Sequence, residues 1–294
     1  MRLLVLGGSG QVGAALTQSL RGLGELVVLD RTQLDLTQVD AIRTAFRELH
    51  PQIVINAAAY TAVDAAESDS AMAFQINAEA PRVMAEETER LGSTLIHYST
   101  DYVFDGSKQG AWLEDDATAP ISVYGQSKLA GEQAITEVGG SHLILRTSWV
   151  YGLHGKNFLL TMLRLAEIRD ELSIVDDQLG APTWAVTIAD ATASIIRDSG
   201  EPAQLAALSG IYHLCAGGHT SWFGFAEAIF SHAAVSKKPK LHPITTAEYP
   251  TPAQRPHNSI LNTDKFRHTF GDLPAWDEAL NQCMQAYLKS QSIE

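Results

Sequence analysis

Apolar residues in the first half of the chain follow two alternating rhythms. Leu3 to Leu6 is a short unbroken run that reads as a strand buried on both faces, Ile53 to Ile55 reads as another buried strand, and Glu25 to Leu29, Thr94 to Tyr98 and His142 to Leu145 read as further strands. Between them, apolar positions recur at helical spacing through Val12, Leu16 and Leu20, then over Val39 to Leu49 and Met72 to Leu91. Pro81 lies inside the last stretch, so a kink or a break is expected there, because proline lacks an N–H and crowds the preceding turn. A further helix is expected after Tyr124. Strands alternating with helices predict an α/β fold, a Rossmann-like doubly wound parallel sheet.

After Tyr151 the elements shorten. Gly152, Gly155 and Gly180, with prolines from Pro182 to Pro256, punctuate them. This predicts a nucleotide-binding domain over 1–150 and a smaller, mixed substrate-binding region over 151–294. That region is discontinuous, because a helix near 185–197 returns to the sheet.

Composition narrows the partners. The chain has 294 residues, 45% hydrophobic and 19% charged, which suits a folded core and argues against disorder. Its formal net charge is −13, and no basic cluster exceeds Lys237-Lys238-Pro239-Lys240. Nucleic acid is therefore not an expected partner, since duplex binding rests on a concentrated basic face. Two cysteines, Cys215 and Cys283, make no disulfide framework and fit a reducing compartment. No apolar run approaches the ~20 residues of a membrane span. The expectation is a soluble, cytoplasmic protein with no membrane partner.

Two features carry chemistry. The first is Gly7-Gly8-Ser9-Gly10-Gln11-Val12-Gly13, directly after a strand and before a helix. Such a loop lets the main chain approach a pyrophosphate, whose oxygens then sit at the helix N-terminus. Asp30 ends the second strand, where an acid bonds the adenine ribose and favours NAD. Arg31 follows and suits a 2′-phosphate, so NADPH and NADH both remain open. Asp35 and Leu36 are placed to cover the adenine. The second feature is Tyr124 and Lys128, four residues apart and on one helical face. A lysine ammonium would lower the tyrosine pKa from about 10 and hold the nicotinamide ribose. Thr100, at the end of the fourth strand, would donate a hydrogen bond to the substrate oxygen. The three read as the catalytic set of a carbonyl reductase. His97, just before them, reads as a structural histidine.

These residues, with Asn56-Ala57-Ala58-Ala59-Tyr60-Thr61-Ala62-Val63-Asp64, resemble the extended short-chain dehydrogenase/reductases. Tyr98-Ser99-Thr100-Asp101-Tyr102-Val103-Phe104, Arg146-Thr147-Ser148-Trp149-Val150-Tyr151, Asp177-Gln178-Leu179-Gly180-Ala181-Pro182-Thr183, Tyr249-Pro250-Thr251-Pro252-Ala253 and Arg255-Pro256 resemble, more narrowly, the dTDP-4-dehydrorhamnose reductase family. The resemblance implies reduction of the C4 ketone of a dTDP-sugar. It implies that Gly10, Gln11 and Val12 touch the pyrophosphate, that Ala59, Tyr60 and Thr61 border the cofactor, that Thr100 and Asp101 face the sugar and that Trp149 lines its pocket. Tyr102 is placed beside them, and Lys156, Asn157 and Arg255 are candidates for the substrate diphosphate. It also brings in Mg2+ and a homodimer, although Ala14 and Ala15 offer no carboxylate and no metal-ligand spacing stands out. Related dehydratases carry an acid where this chain has Tyr102, which argues against water elimination. A sugar-nucleotide 4-epimerase, a non-catalytic regulatory subunit and, more weakly, a redox-sensing module are the rival readings.

Overall fold

A computed structural model describes residues 1–199, 202–232 and 238–291; Lys237 of the basic run lies outside them. At its centre is a six-stranded sheet of β1 (Arg2–Leu6), β2 (Glu25–Leu29), β3 (Ile53–Asn56), β4 (Thr94–Thr100), β5 (Ser141–Thr147) and β6 (Gly210–His213). The spatial order is β6-β5-β4-β3-β1-β2, and every pairing is parallel. The first five strands are those the apolar runs predict. β6 is not anticipated: it has four residues, and it pairs Ile211 with Ile144 of β5.

The runs are continuous because both faces of the sheet are covered. In β1, Leu3 and Val5 face one helical layer with Leu16, Leu20 and Ile188, while Leu4 and Leu6 face the other with Ile42, Phe46 and Val83. The first layer comprises α1 (Gln11–Ser19) and the returning helix Ala185–Ser199. The second comprises α2 (Val39–Leu49), Ala80–Leu91 and Val123–Val138. Buried Glu87 ties α2 to its neighbour through Arg43 and Arg47, and pairs with Arg90 on its own helix.

The expected kink at Pro81 takes a specific form. The chain stays helical through Ser70–Phe74, Gln75–Glu79 and Ala80–Leu91, but the middle piece is a π-helix. Pro81 would crowd the carbonyl four residues earlier, that of Asn77, and the wider turn lies at that point.

The C-terminal half builds its own apolar cluster from Leu159, Met162, Phe225, Ile229, Leu280 and Cys283. Helices Phe158–Ile168, Trp222–Ser231 and Trp276–Gln291 supply these side chains. A parallel pair, Glu171–Val175 with Lys240–Ile244, lies beside them. Among the described residues, no helix is long and apolar enough to cross a membrane.

Candidate active site

A cavity of about 970 Å³ is lined by the ends of β1, β3 and β4, the glycine loop and residues of the C-terminal half. Strand order reverses between β1 and β3, the place where doubly wound sheets bind ligands.

One wall is main chain. Gly7 and Gly8 N–H both donate to the Leu29 carbonyl, at 2.9 and 3.2 Å, folding the loop against β2. A Cβ on Gly13 would lie 2.0 Å from the Gly7 oxygen, so only glycine lets α1 start this close. Gly10 caps α1 without a side-chain hydrogen bond to the positive helix end. Gln11 and Val12 line the cavity with it. Asp30 Oδ1 accepts from Thr32 Oγ1 and N at 2.6 and 2.8 Å, bonds that hold its carboxyl below the usual range. Asp35 accepts from Thr37 N at 3.0 Å, and that bond likewise lowers its pKa. Leu36 is buried beside Leu34, and both contribute to the cavity wall. Arg31 is exposed at the rim.

Ala59, Tyr60 and Thr61 follow β3 along the same wall. Asn77, in the π-turn, accepts from Tyr60 N at 2.8 Å and donates to the Tyr60 carbonyl at 3.0 Å. Its Nδ2 also donates to Ser127 Oγ at 3.0 Å. One buried amide thus joins the cofactor-side loop to the helix bearing Tyr124 and Lys128.

The reacting end is set by two short contacts. Ser122 Oγ accepts from Gly125 N at 3.2 Å and starts the Val123–Val138 helix. A Cβ on Gly125 would lie 2.2 Å from the Tyr102 carbonyl, so glycine allows the helix to press on the Asp101–Val103 turn. Tyr124 then lies beside Thr100 in the cavity wall, and its ring meets Tyr102 edge-on at 5.9 Å. Thr100 Oγ1 donates to Asp101 Oδ1 at 2.9 Å, and Ser148 Oγ donates to Asp101 Oδ2 at 2.9 Å. Burial pushes the Asp101 carboxyl up to about 6. It also pushes the Tyr102 phenol up.

Here the geometry departs from the expected electrostatics. Burial, opposed by the nearby Thr100 hydroxyl and helped by the Asp101 charge, pushes the Tyr124 phenol up to about 12. Lys128 Nζ lies 2.6 Å from the Tyr98 carbonyl and 3.1 Å from His97 Nε2. Burial brings Lys128 down to about 8. The Thr100 hydroxyl hydrogen lies on Asp101, so donating to a substrate requires releasing that carboxylate.

The opposite wall is made of side chains. Trp149, at φ +45°, stacks on Trp222 with centroids 3.5 Å apart and planes 3° from parallel. Phe158 leans on Trp222 at 4.7 Å. Trp222 and Phe158 are not anticipated from sequence; Trp222-Phe223-Gly224-Phe225 reads locally as a core helix. Asn157 is occupied by the fold itself. Its Nδ2 donates to Gln11 Oε1 and the Gly152 carbonyl, both at 2.9 Å, and its Oδ1 caps Leu160 N. Lys156 is exposed at the rim. Arg255 pairs with Asp64 at 2.8 Å and with Thr251 Oγ1 at 2.5 Å.

The cavity suits a dinucleotide. Beyond the uncapped helix and glycine cradle, the buried hydroxyls of Ser99 and Thr147 line it with no hydrogen-bond partner among the described residues. Such orphans call for a polar ligand. Among the same residues, no group of three or more His, Cys, Asp or Glu side chains is placed to hold a metal ion.

The family model described as the RmlD substrate binding domain matches residues 1–289. The chain belongs to the dTDP-4-dehydrorhamnose reductase family. It is similar to the dTDP-4-dehydrorhamnose reductase of Burkholderia thailandensis, 48% identical over 98% of this chain and 99% of that one. It is 44% identical to the enzyme of that name from Escherichia coli, over the full length of both. A solved dTDP-4-dehydrorhamnose reductase from Bacillus anthracis, in complex with NADP, superposes with a TM-score of 0.90 at 36% identity, covering 97% of this chain and 99% of that one. The cavity gathers Thr100, Tyr124, Lys128 and the glycine loop.

Proposed function

We propose that the protein reduces the C4 ketone of dTDP-4-dehydro-L-rhamnose to dTDP-L-rhamnose, an activated sugar for cell-envelope polysaccharide, with NADPH or NADH. One observation carries this reading: Thr100, Tyr124 and Lys128 converge in the cavity that the glycine cradle opens into. The family's activity and the NADP in the Bacillus anthracis relative support it.

The dinucleotide, when bound, supplies the hydride. Gly10, Gln11, Val12 and Gly13 hold its pyrophosphate, and Ser99 and Thr147 offer hydroxyls to its polar edge. Asp30 takes ribose hydroxyls, while Arg31 is the group for a 2′-phosphate. Tyr124 gives the proton to the sugar oxygen. Thr100 steadies the same oxygen once it lets go of Asp101. Trp149, Trp222 and Phe158 give the sugar nucleotide a flat apolar surface. Arg255, with Lys156 at the rim, binds the diphosphate by exchanging Asp64 for phosphate oxygens.

Both cysteines are buried and free, which supports a cytoplasmic location. A homodimer belongs to the same reading, and the mass in solution checks it. The deciding experiment supplies purified protein with NADPH or NADH and the keto-sugar. One cofactor oxidised per product supports the reductase. Product without net oxidation means an epimerase, and no turnover means a non-catalytic member of the fold.

A further inference from the structure

The segment from Asp176 to Gly180 does not line the cavity, yet it holds the aromatic wall that does. Leu179 and Gly180 pair antiparallel with Ser221 and Thr220, which brings the segment against the start of the Trp222–Ser231 helix. There the Ser221 hydroxyl accepts from Gly224 N at 2.9 Å and donates to Asp176 Oδ1. Gln178, 5% exposed, accepts at Oε1 from Trp222 Nε1 at 3.2 Å and donates from Nε2 to Thr246 Oγ1 at 3.0 Å. Gly180 seats the other indole: a Cβ there would stand 2.4 Å from Trp149 Cε2.

Hydrogen counting leaves this chain one arrangement. An indole N–H only donates, so the Gln178 oxygen faces Trp222 and the amide nitrogen faces Thr246. The Thr246 hydroxyl accepts from that amide and gives its own hydrogen to Asp177 Oδ1 at 2.6 Å, and Thr246 N also donates to Asp177 at 2.8 Å. A buried amide paired at both ends is a fixed point for the indole. The stack needs one. Centroids 3.5 Å apart in planes 3° from parallel leave almost no sideways offset, because that separation is already the contact distance of two carbon layers. Aromatic pairs prefer an offset or an edge-to-face arrangement, since their negative faces repel. Trp149 also sits at φ +45°, a left-handed backbone that is costly for a bulky residue. Ring preference and backbone preference both oppose this arrangement. The Gln178 bond to one indole and the Gly180 seat of the other impose it.

We propose that Gln178 is a positioning residue for the sugar nucleotide: it locks Trp222, and through the stack Trp149, in the overlapped orientation that shapes the substrate wall. The proposal rests on that wall serving the substrate. The bond also commits the one polar atom of the Trp222 side chain to a residue outside the cavity lining, so Trp222 meets the substrate with carbon alone. Without the bond, Trp222 is free to slide to an offset packing, and Trp149 to follow it. The dinucleotide, held on the main-chain wall, does not depend on it.

Gln178→Leu keeps much of the volume and removes the acceptor. It should raise the sugar-nucleotide KM about three- to tenfold, with kcat changed by less than about twofold and the dinucleotide Kd unmoved. Trp222→Phe keeps a ring without an N–H, so adding Gln178→Leu to it should change that KM by less than about twofold more. An unmoved KM in Gln178→Leu, an equal rise in both backgrounds, or a parallel loss of dinucleotide affinity each overturns the proposal. A second measurement leaves Gln178 in place. In the full-length protein with nitrogen-labelled tryptophan, the Trp222 Nε1–H, assigned by its absence from Trp222→Phe, should exchange with heavy water at least about 100-fold more slowly than a free indole; exchange at the free rate overturns the proposal. Trp222→Ala separates the two readings. If it leaves the sugar-nucleotide KM unchanged, the wall does not serve the substrate and the reading beneath the proposal falls; if it raises that KM while Gln178→Leu is silent, the proposal alone falls.

Discussion

The two walls of the cavity are built from different materials. The cofactor-side wall is mostly main chain: Gly7 and Gly8 bond to Leu29 of the neighbouring strand, and α1 begins against Gly7. The substrate-side wall is held by side chains that meet from distant parts of the chain. Arg255 reaches Asp64, Asn157 reaches Gln11, and Trp149 lies on Trp222. A main-chain cradle tolerates any side chain that leaves the backbone close. A side-chain wall depends on particular pairs, and each can be removed singly.

Tyr124 sits at the seam, and its loss should cost most. Tyr124→Phe should cut kcat by about 10²–10⁴-fold while leaving the dinucleotide Kd nearly unchanged; wild-type turnover would remove the proposed donor. Gly13→Val attacks the main-chain wall. The added carbons meet the Gly7 oxygen, so dinucleotide affinity should fall by about tenfold or more, with a destabilisation of about 1–3 kcal/mol in urea melts. Arg255→Ala attacks the other wall. The sugar-nucleotide KM should rise by about 10- to 100-fold, in proportion to losing charge-assisted bonds, with the dinucleotide Kd unmoved. Equal loss of both affinities in Arg255→Ala would erase the distinction between the walls.

The smallest effect on catalysis is expected away from both. Arg47 first, with Arg90 and Arg43, holds the Glu87 carboxyl down at about 2, against an ordinary value of 4.5. Glu87→Gln should lower stability by about 1–3 kcal/mol at neutral pH without changing kcat. The wild-type advantage is fully present above pH 4.5 and fades as the pH falls towards 2, because the folded carboxylate resists protonation longer than the unfolded one. Denaturant melts of both proteins at pH 6 and near pH 3 should show the gap closing.

The same contrast governs what the sequence can reveal. Main-chain features leave local marks, so the glycine spacing and the first five strands are legible. β6 is not, since four residues ending in a histidine carry no periodic signal. Trp222 is hidden because an aromatic run at a helix start looks like core. Arg255 and Asp64 stand 191 residues apart, and no local pattern joins them. The residues Tyr124 and Lys128 are legible from their spacing, but their electrostatics are not. Helical spacing places two side chains on one face without saying which neighbouring strand the longer one will reach. Nothing in the sequence around His97 announces its contact with a lysine from another element.

The π-turn at Gln75–Glu79 has an evolutionary and engineering consequence. Its wider coil shifts the angular phase between the residues before it and those after it. Deleting one position to restore ordinary winding would leave the flanking helices in phase but draw the residues between them into a tighter turn. Asn77 would then swing off Tyr60 and Ser127. Efforts to raise heat resistance by regularising this stretch should therefore harm turnover, and the irregularity should be left in place when the scaffold is redesigned.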